Sequence, residues 1–201
     1  MIRVLIAEDQ SLVRGALRAL LELEGDIEVV AEVGRGDEVV AAAVEHRPDV
    51  ALLDIEMPGA DGIEAARALA AASPGCRAVI LTTFGRPGFL RRAMEVGAAG
   101  FLVKDAPVTE LARGIRAVMA GERVIDRDLA AAALALGATP LSLREADVLR
   151  AGRDGATVAD IASRLVLSEG TVRNYLSSAI SKTGTRTRVE AARVAEEKGW
   201  L

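Results

Sequence analysis

The chain lacks the residues on which several common kinds of site depend. Its 201 residues include one cysteine, Cys76, and one histidine, His46. A single cysteine excludes an intramolecular disulfide framework, and without a Cys/His cluster there is no zinc site of the usual ligand type. The only histidine lies in the polar sequence VEHRPD, and we therefore do not expect catalysis that depends on histidine.

Aromatic residues and long apolar runs are also scarce. Aromatic residues make up 2% of the chain and hydrophobic residues 51%, so we expect a core of Ala, Val, Leu and Ile. No apolar run reaches the length of about 18 residues that indicates a membrane span. The N-terminal sequence MIRVLIAEDQ lacks the tripartite layout of a signal peptide. We therefore expect a cytoplasmic protein with no membrane partner.

Charge is distributed unevenly along the chain. The net charge is -4, but residues 140–201 carry ten basic and eight acidic residues, a net charge of +2. Residues 1–139 then have a net charge of -6. An acidic part followed by a mildly basic part predicts two modules with different partners. We place the first module at residues 1–120, a linker with one short helix at 121–139 and the second module at 140–201.

Five strand-like apolar runs alternate with helical patterns in the first module. The runs are IRVLIA (2–7), IEVVAEV (27–33), VALLD (50–54), AVILTT (78–83) and AGFLV (99–103). Between them, apolar residues recur at the spacings of three and four that are typical of helices. This alternation predicts an α/β domain with a five-stranded parallel sheet, and we expect the flavodoxin-like strand order 2-1-3-4-5.

Reactive side chains follow these runs at the point where each predicted strand ends. Glu8 and Asp9 follow the first strand, Asp54 ends the third, Thr82 ends the fourth and Lys104 follows the fifth. Because parallel strands end at the same edge of a sheet, we expect these groups to share one crevice. Clustered carboxylates repel one another, and Mg²⁺ is the cation that oxygen ligands of this kind usually bind. An aspartate in such a site can accept a phosphoryl group as an acyl phosphate.

The segments IAEDQ, LLDIEMPGADG, LTT and GFLVKD resemble the receiver domain of bacterial two-component response regulators, over residues 1 to about 120. The resemblance implies that Asp54 is the phospho-acceptor. It implies that Glu8, Asp9 and Asp54 bind Mg²⁺ and that the main-chain carbonyl of Glu56 completes the protein ligands.

The same resemblance implies roles for residues of the later strands. Thr82 and Lys104 are expected to contact the phosphoryl oxygens, and Phe101 occupies the position of the switch aromatic residue. The sequence departs from many receivers after Lys104, where Asp105 replaces a proline. A cis proline is therefore not expected at that position.

The second module is predicted to be entirely helical. Three capping patterns mark helix starts, namely Ser142…Glu145, Thr157…Asp160 and Thr187…Glu190. The sequences TVADIASRL, VLSEG and TVRNYLSSAISK predict a helix, a tight turn and a second helix. In the second helix a buried stripe is expected, formed by Val172, Leu176, Ala179 and Ile180. The opposite face then presents Arg173, Asn174 and Ser177, a combination that suits reading of the DNA major groove.

Residues 140–198 resemble the four-helix DNA-binding domain of the LuxR and NarL/FixJ class. The resemblance implies that Arg173, Asn174 and Ser177 face the bases. It also implies three phosphate contacts, from Lys182, Arg186 and Arg188. Two positions depart from the usual pattern, because Ser177 stands where relatives have a basic residue and Thr183 stands at an apolar position.

Together the two resemblances imply a transcription regulator and not an enzyme. A sensor histidine kinase is expected to phosphorylate Asp54, and the resulting homodimer is expected to bind double-stranded promoter DNA. An aspartate-nucleophile phosphatase is the first alternative, but such enzymes of the haloacid dehalogenase type have D-x-D after the first strand, whereas D-x-E follows the third strand here. A regulator that binds DNA without phosphorylation is the second, and the complete acidic pocket argues against it.

Overall fold

The computed structural model of the chain describes residues 1–83, 87–104, 107–126, 129–131 and 139–201. It divides into two compact units, the first with residues 1–85 and 89–131 and the second mainly with the residues after 131, of which 139–201 are described. Asp105 and residues 127–128 and 132–138 of the predicted linker lie outside the described residues. Within the described ranges, no helix is long and apolar enough to cross a membrane.

The first unit is built on a parallel sheet in the order β2-β1-β3-β4-β5-β6. The strands are β1 (Ile2–Ala7), β2 (Ile27–Val33), β3 (Val50–Asp54), β4 (Arg77–Thr82), β5 (Gly100–Val103) and β6 (Val124–Ile125). The predicted order of five strands is confirmed. The predicted number is corrected to six, because Val124 and Ile125 pair with Gly100 and Phe101 at the edge of the sheet.

Strand β6 lies inside the segment predicted to be a linker with one short helix. Two residues are too few to produce a periodic pattern, so the strand left no signal in the sequence. Residues 129–131, which follow it, are helical.

Helices cover both faces of this sheet, as expected for parallel strands. They are α1 (Ser11–Glu22), α2 (Val39–His46), α3 (Gly62–Ala72), α4 (Pro87–Glu95) and α5 (Val108–Met119), with a 3₁₀ turn at Gly36–Glu38. All five residues of the central strand β3 are buried, and Asp54 is the last of them, at the carboxyl end of the strand. Helix α1 is less buried than its apolar pattern suggests, since Leu21 is inaccessible whereas Leu12 is 85% exposed.

The second unit contains four helices, which confirms the predicted helical module. They are α6 (Leu143–Ala151), α7 (Val158–Leu165), α8 (Glu169–Thr183) and α9 (Arg188–Glu197). Ser142 and Thr157 begin complete capping boxes. At Thr187 the hydroxyl caps the N–H of Glu190, but the Glu190 carboxylate accepts from the N–H of Arg186 instead.

Helix α8 packs against the other helices through the predicted stripe. Val172, Leu176 and Ala179 are buried there and Ile180 is half-buried. The turn before α8 passes through Val166, which has a φ of +54°. A β-branched residue is rare in this left-handed region, and here it ends α7 so that α8 can begin at once. The outer face of α8 is thereby left open to solvent.

Candidate phosphorylation site and nucleic-acid interface

Three carboxylates meet at the carboxyl edge of the parallel sheet. Carboxylate oxygens of Glu8, Asp9 and Asp54 all lie within 4.8 Å of one another. Strands β1 and β3 pair with Ala7 opposite Leu53, which brings the residues that follow these positions together. Glu8 is 1% exposed and Asp54 is 6% exposed, whereas Asp9 faces solvent. The structure therefore assembles the acidic pocket as the sequence predicted.

Lys104 places its ammonium between two of these carboxylates. Its Nζ lies 2.5 Å from Oε2 of Glu8 and 3.0 Å from Oδ1 of Asp54. Burial would lower the pKa of Lys104, but hydrogen bonds and charges from the two carboxylates outweigh burial and raise it. Burial raises the pKa of Asp54, and the nearby Lys104 opposes this only in part. Three carboxylates and one ammonium leave two negative charges uncompensated, which suits a divalent cation.

The loop after β3 is tied closely to Asp54. Oδ1 of Asp54 accepts a hydrogen bond from the N–H of Ile55 at 2.8 Å, and the N–H of Gly62 donates to the Ile55 carbonyl at 3.0 Å. A Cβ on Gly62 would lie 2.0 Å from the main-chain oxygen of Asp54, so only glycine allows α3 to start here. Gly62 was not among the residues predicted from the sequence. The exposed Glu56 lies in this loop, and its main-chain metal contact stays a prediction.

Thr82 and Phe101 occupy the neighbouring strands. Thr82 is buried at the end of β4, and its carbonyl oxygen accepts from the N–H of Lys104 at 2.8 Å. Phe101 is completely buried in β5, opposite Ile80 of β4 and Ile125 of β6. Thr82 thus lies beside the pocket, whereas the Phe101 ring is enclosed by the core. The roles of both residues in switching stay predictions.

Arg14 supports the loop that carries the acidic pair, a contact that was not predicted from the sequence. Its guanidinium, on α1, donates to the main-chain carbonyl of Glu8 and lies 3.9 Å from a carboxylate oxygen of Glu32. The N–H of Gln10 donates to Oε1 of Glu8 at 3.3 Å. An arginine one helical turn after an acidic loop is the only signal that could have indicated this contact.

The outer face of α8 forms the second candidate site. Arg173, Asn174 and Ser177 are all exposed there, on the side opposite the buried stripe. Nη2 of Arg173 lies 2.5 Å from Oε2 of Glu169, which is one helical turn earlier in α8. Ser168 caps this first turn by accepting from the N–H of Thr171. The three side chains predicted to read bases therefore share one accessible face.

The three predicted phosphate contacts differ in their surroundings. Arg186 is exposed in the turn before α9. Arg188 donates to the carbonyl of Ala156 at 2.8 Å, and Lys182 donates to Oε2 of Glu145 at 2.8 Å. Within the described part of the chain, Arg188 and Lys182 thus each make one contact inside the domain, and their other N–H groups remain available, while the phosphate contacts themselves stay predictions.

Comparison with known proteins assigns both units. Residues 4–116 match the family described as the response regulator receiver domain, and residues 139–195 match the bacterial regulatory proteins of the luxR family. The chain is 45% identical over 201 residues to the transcriptional regulatory protein DesR of Bacillus subtilis (strain 168), covering 100% of both chains. It is 39% identical over 203 residues to the response regulator RamR of Streptomyces coelicolor, covering 100% of this chain and 98% of RamR.

A solved structure agrees with this assignment. The response regulator ChrA of a heme-sensing two-component system is 35% identical with a TM-score of 0.58, over 100% of this chain and 98% of ChrA. The chain belongs to the two-component response regulators that carry a LuxR-type DNA-binding domain. It is a transcriptional regulator and not an enzyme, which removes the phosphatase interpretation.

Proposed function

We propose that phosphorylation of Asp54 by a sensor histidine kinase switches this regulator between two states. The observation that carries the proposal is the cluster of Glu8, Asp9 and Asp54 with Lys104 directly beside it. The Asp54 carboxylate is buried at the end of β3, which restricts its motion. Asp9, which lies beside it in the pocket, is exposed to solvent. Both features suit a nucleophile that accepts a group delivered from outside.

The chain's own residues carry out most of the transfer in this proposal. A carboxylate oxygen of Asp54 forms a bond to phosphorus while the bond from phosphorus to the donor breaks, and the donor leaves with the electron pair. Lys104, now paired with the Asp54 carboxylate, is placed to pair with the phosphoryl oxygens, and the Thr82 hydroxyl lies on the adjoining strand.

The donor set of the pocket fits Mg²⁺. Glu8, Asp9 and Asp54 would hold the ion through carboxylate oxygens, together with the main-chain oxygen of Glu56. When bound, Mg²⁺ supplies positive charge that offsets the negative charge of the phosphoryl oxygens and of the carboxylates. Hard oxygen ligands from only a few protein groups are typical of Mg²⁺ sites, which retain water.

We infer that the output is sequence-specific binding of double-stranded promoter DNA by a phosphorylated homodimer. In support of DNA reading, Arg173, Asn174 and Ser177 lie on an open face of α8 whose other side is packed. Two copies would place two α8 helices on paired half-sites.

Mass spectrometry with a small phosphodonor tests the proposal. Acetyl phosphate and Mg²⁺ should add one phosphoryl group to the full chain, and DNA binding should be stronger afterwards. Asp54→Asn should abolish the added mass, whereas Asp154→Asn, an exposed acidic residue of the second unit, should label normally. Undiminished labelling of Asp54→Asn would show that another residue accepts the group.

A further inference from the structure

The carboxylate of Glu145 is buried in the second unit and joins the start of helix α6 to helix α8. Glu145 lies in the first turn of α6 and is 4% exposed. Its Oε1 accepts from the Ser178 hydroxyl at 2.6 Å. Its Oε2 accepts from the Lys182 ammonium at 2.8 Å and from the N–H of Ser142 at 2.6 Å. One carboxylate therefore holds the start of α6 and two positions of α8.

We propose that Glu145 is a positioning residue for DNA reading, because it fixes the rotation of α8 about its own axis through Ser178 and Lys182. The inference rests on the proposed function, since it concerns how the reading face of α8 is presented. It also assigns Lys182, whose side chain is 40% exposed, a role as the counter-ion of the buried Glu145, in place of the phosphate contact that the family resemblance implies.

The spacing of the two partners on α8 supports this role. Ser178 and Lys182 are four residues apart, so they lie on one face of the helix and reach the same carboxylate. Successive residues of a helix differ by about 100° in direction, so Ser177 points about a quarter turn away from Ser178 when Ser178 contacts Glu145. The contacts of Ser178 thus determine the direction of Ser177, which is exposed as required for base contact.

Apolar packing alone would fix this rotation less well. The buried stripe of α8 includes Ala179, a small side chain that tolerates rotation and sliding, beside Val172 and Leu176. Hydrogen bonds to a buried carboxylate are directional, and leaving that carboxylate without partners is costly. Any rotation that withdraws Ser178 or Lys182 is therefore opposed by the desolvated charge of Glu145.

The two possible roles of Lys182 lead to different results on mutation. A phosphate contact predicts weaker binding to every DNA sequence, a smaller salt dependence and no influence of Glu145. An internal counter-ion predicts that Lys182→Met leaves a buried charge unpaired and loosens α8. In that case a second change, Glu145→Gln, should repair the damage because it removes the unpaired charge.

The experiment compares the full chain with Lys182→Met, Glu145→Gln, the double variant and Ser178→Ala. Each protein is treated with acetyl phosphate and Mg²⁺ and kept at a temperature at which circular dichroism shows it folded. The probes are a duplex selected by the wild type from a random library and a scrambled duplex of the same composition. Affinity for both duplexes is measured over a range of salt concentrations.

We expect Lys182→Met and Ser178→Ala to lower the ratio of affinities for selected and scrambled DNA by about tenfold, with an unchanged salt dependence. The double variant should recover most of that ratio. The matched control is Arg153→Met with Glu196→Gln, which removes an ion pair of 3.0 Å between an exposed arginine and a half-buried glutamate. The control should bind both duplexes as the wild type does.

Two results would overturn the inference while leaving the proposed function intact. An equal loss of affinity for both duplexes, with a smaller salt dependence, would show that Lys182 contacts phosphate. Folded variants that keep the wild-type ratio would show that the network only stabilises the domain. If the wild type itself does not distinguish the two duplexes, the proposed function fails, and the inference fails with it.

Discussion

Individual residues of the acidic pocket depend on one another for their charge states. Lys104 is 12% exposed in its side chain and is the cation that contacts both Glu8 and Asp54. Its raised pKa keeps the ammonium charged throughout the neutral range. Because a buried carboxylate without a partner is strongly disfavoured, the pocket requires either this ammonium or another cation to remain ionised.

Replacement of Lys104 should impair both stability and phosphorylation. Lys104→Met leaves two buried carboxylates facing each other, and breaking a buried pair costs about 3–5 kcal/mol. We expect a lower free energy of unfolding in urea and slower labelling by acetyl phosphate. A double variant with Glu8→Gln should recover stability but not labelling. Labelling of Lys104→Met at the wild-type rate would contradict the role of this ammonium.

Arg173 should determine preference at a single base pair. A guanidinium can donate twice to guanine, so Arg173→Ala should cost about 1–3 kcal/mol on the selected site and relax preference at one position.

A second prediction concerns Glu169, which contacts the guanidinium of Arg173 in the protein without DNA. Glu169→Gln should strengthen binding to scrambled DNA, because it removes a negative charge close to the DNA backbone. Both effects can be measured with a series of single base substitutions, and equal loss on every variant would place Arg173 on the backbone instead.

At the scale of helices and strands, the sequence predicted elements well where their signal is local. The predicted and observed bounds of β1 to β5 agree within one residue, because buried parallel strands form continuous apolar runs. The helix starts at Ser142 and Thr157 were predictable because a capping box is contained in four residues. The solvent-exposed face of α8 with Arg173, Asn174 and Ser177 was predictable from the apolar period of the helix.

Other features have no local signal and could not be predicted. The contact between Glu145 and Lys182 joins residues 37 positions apart, and nothing near either residue indicates the other. Gly62 and Arg14 act through backbone atoms of Asp54 and Glu8, which a residue pattern does not specify. Leu12 belongs to an apolar stripe but is exposed, because the period of a helix does not show how far the sheet beneath it extends.

The packing of α6 against α8 should depend on acid pH through Glu145. Burial opposes ionisation of Glu145, but the hydrogen bonds from Lys182, Ser178 and Ser142 outweigh it and lower the pKa to about 2 from 4.5. A lowered folded-state pKa stabilises the fold above the unfolded pKa, and this stabilisation is lost as pH falls towards the folded value. The contribution is on the order of 3 kcal/mol above pH 4.5.

Urea unfolding of the second unit between pH 6 and about pH 2 would measure this effect. The only tryptophan, Trp200, packs against the core of this unit and reports its unfolding selectively. The free energy of unfolding of the wild type should decrease more steeply with falling pH than that of Glu145→Gln. Parallel curves for the two proteins would show that Glu145 does not contribute the expected linkage.

At the scale of the whole molecule, the two units differ in charge and therefore in their partners. The first part of the chain has a net charge of -6 and the second +2, so bulk electrostatic attraction to DNA is weak. A single second unit then gains little affinity from charge alone. In the proposed function, specific binding comes from contacts to bases and from the use of two copies on one DNA, so assembly would be the natural point of control.

Phosphorylation should therefore shift the chain from monomer to dimer and change its DNA site from one half-site to two. A shift of this kind requires only a few kcal/mol of difference between the two states. Light scattering should show the larger species with acetyl phosphate or with beryllofluoride, and not with Asp54→Asn.

Footprinting of the phosphorylated protein should show two protected half-sites about one helical turn apart, since paired recognition helices enter successive major grooves on one side of the duplex. Increasing the spacing by about five base pairs should abolish binding of the phosphorylated protein, because it turns the second half-site to the opposite side. Phosphorylated protein that remains monomeric at every concentration, yet binds the selected duplex as tightly at either spacing, would show that the receiver controls α8 within one chain instead.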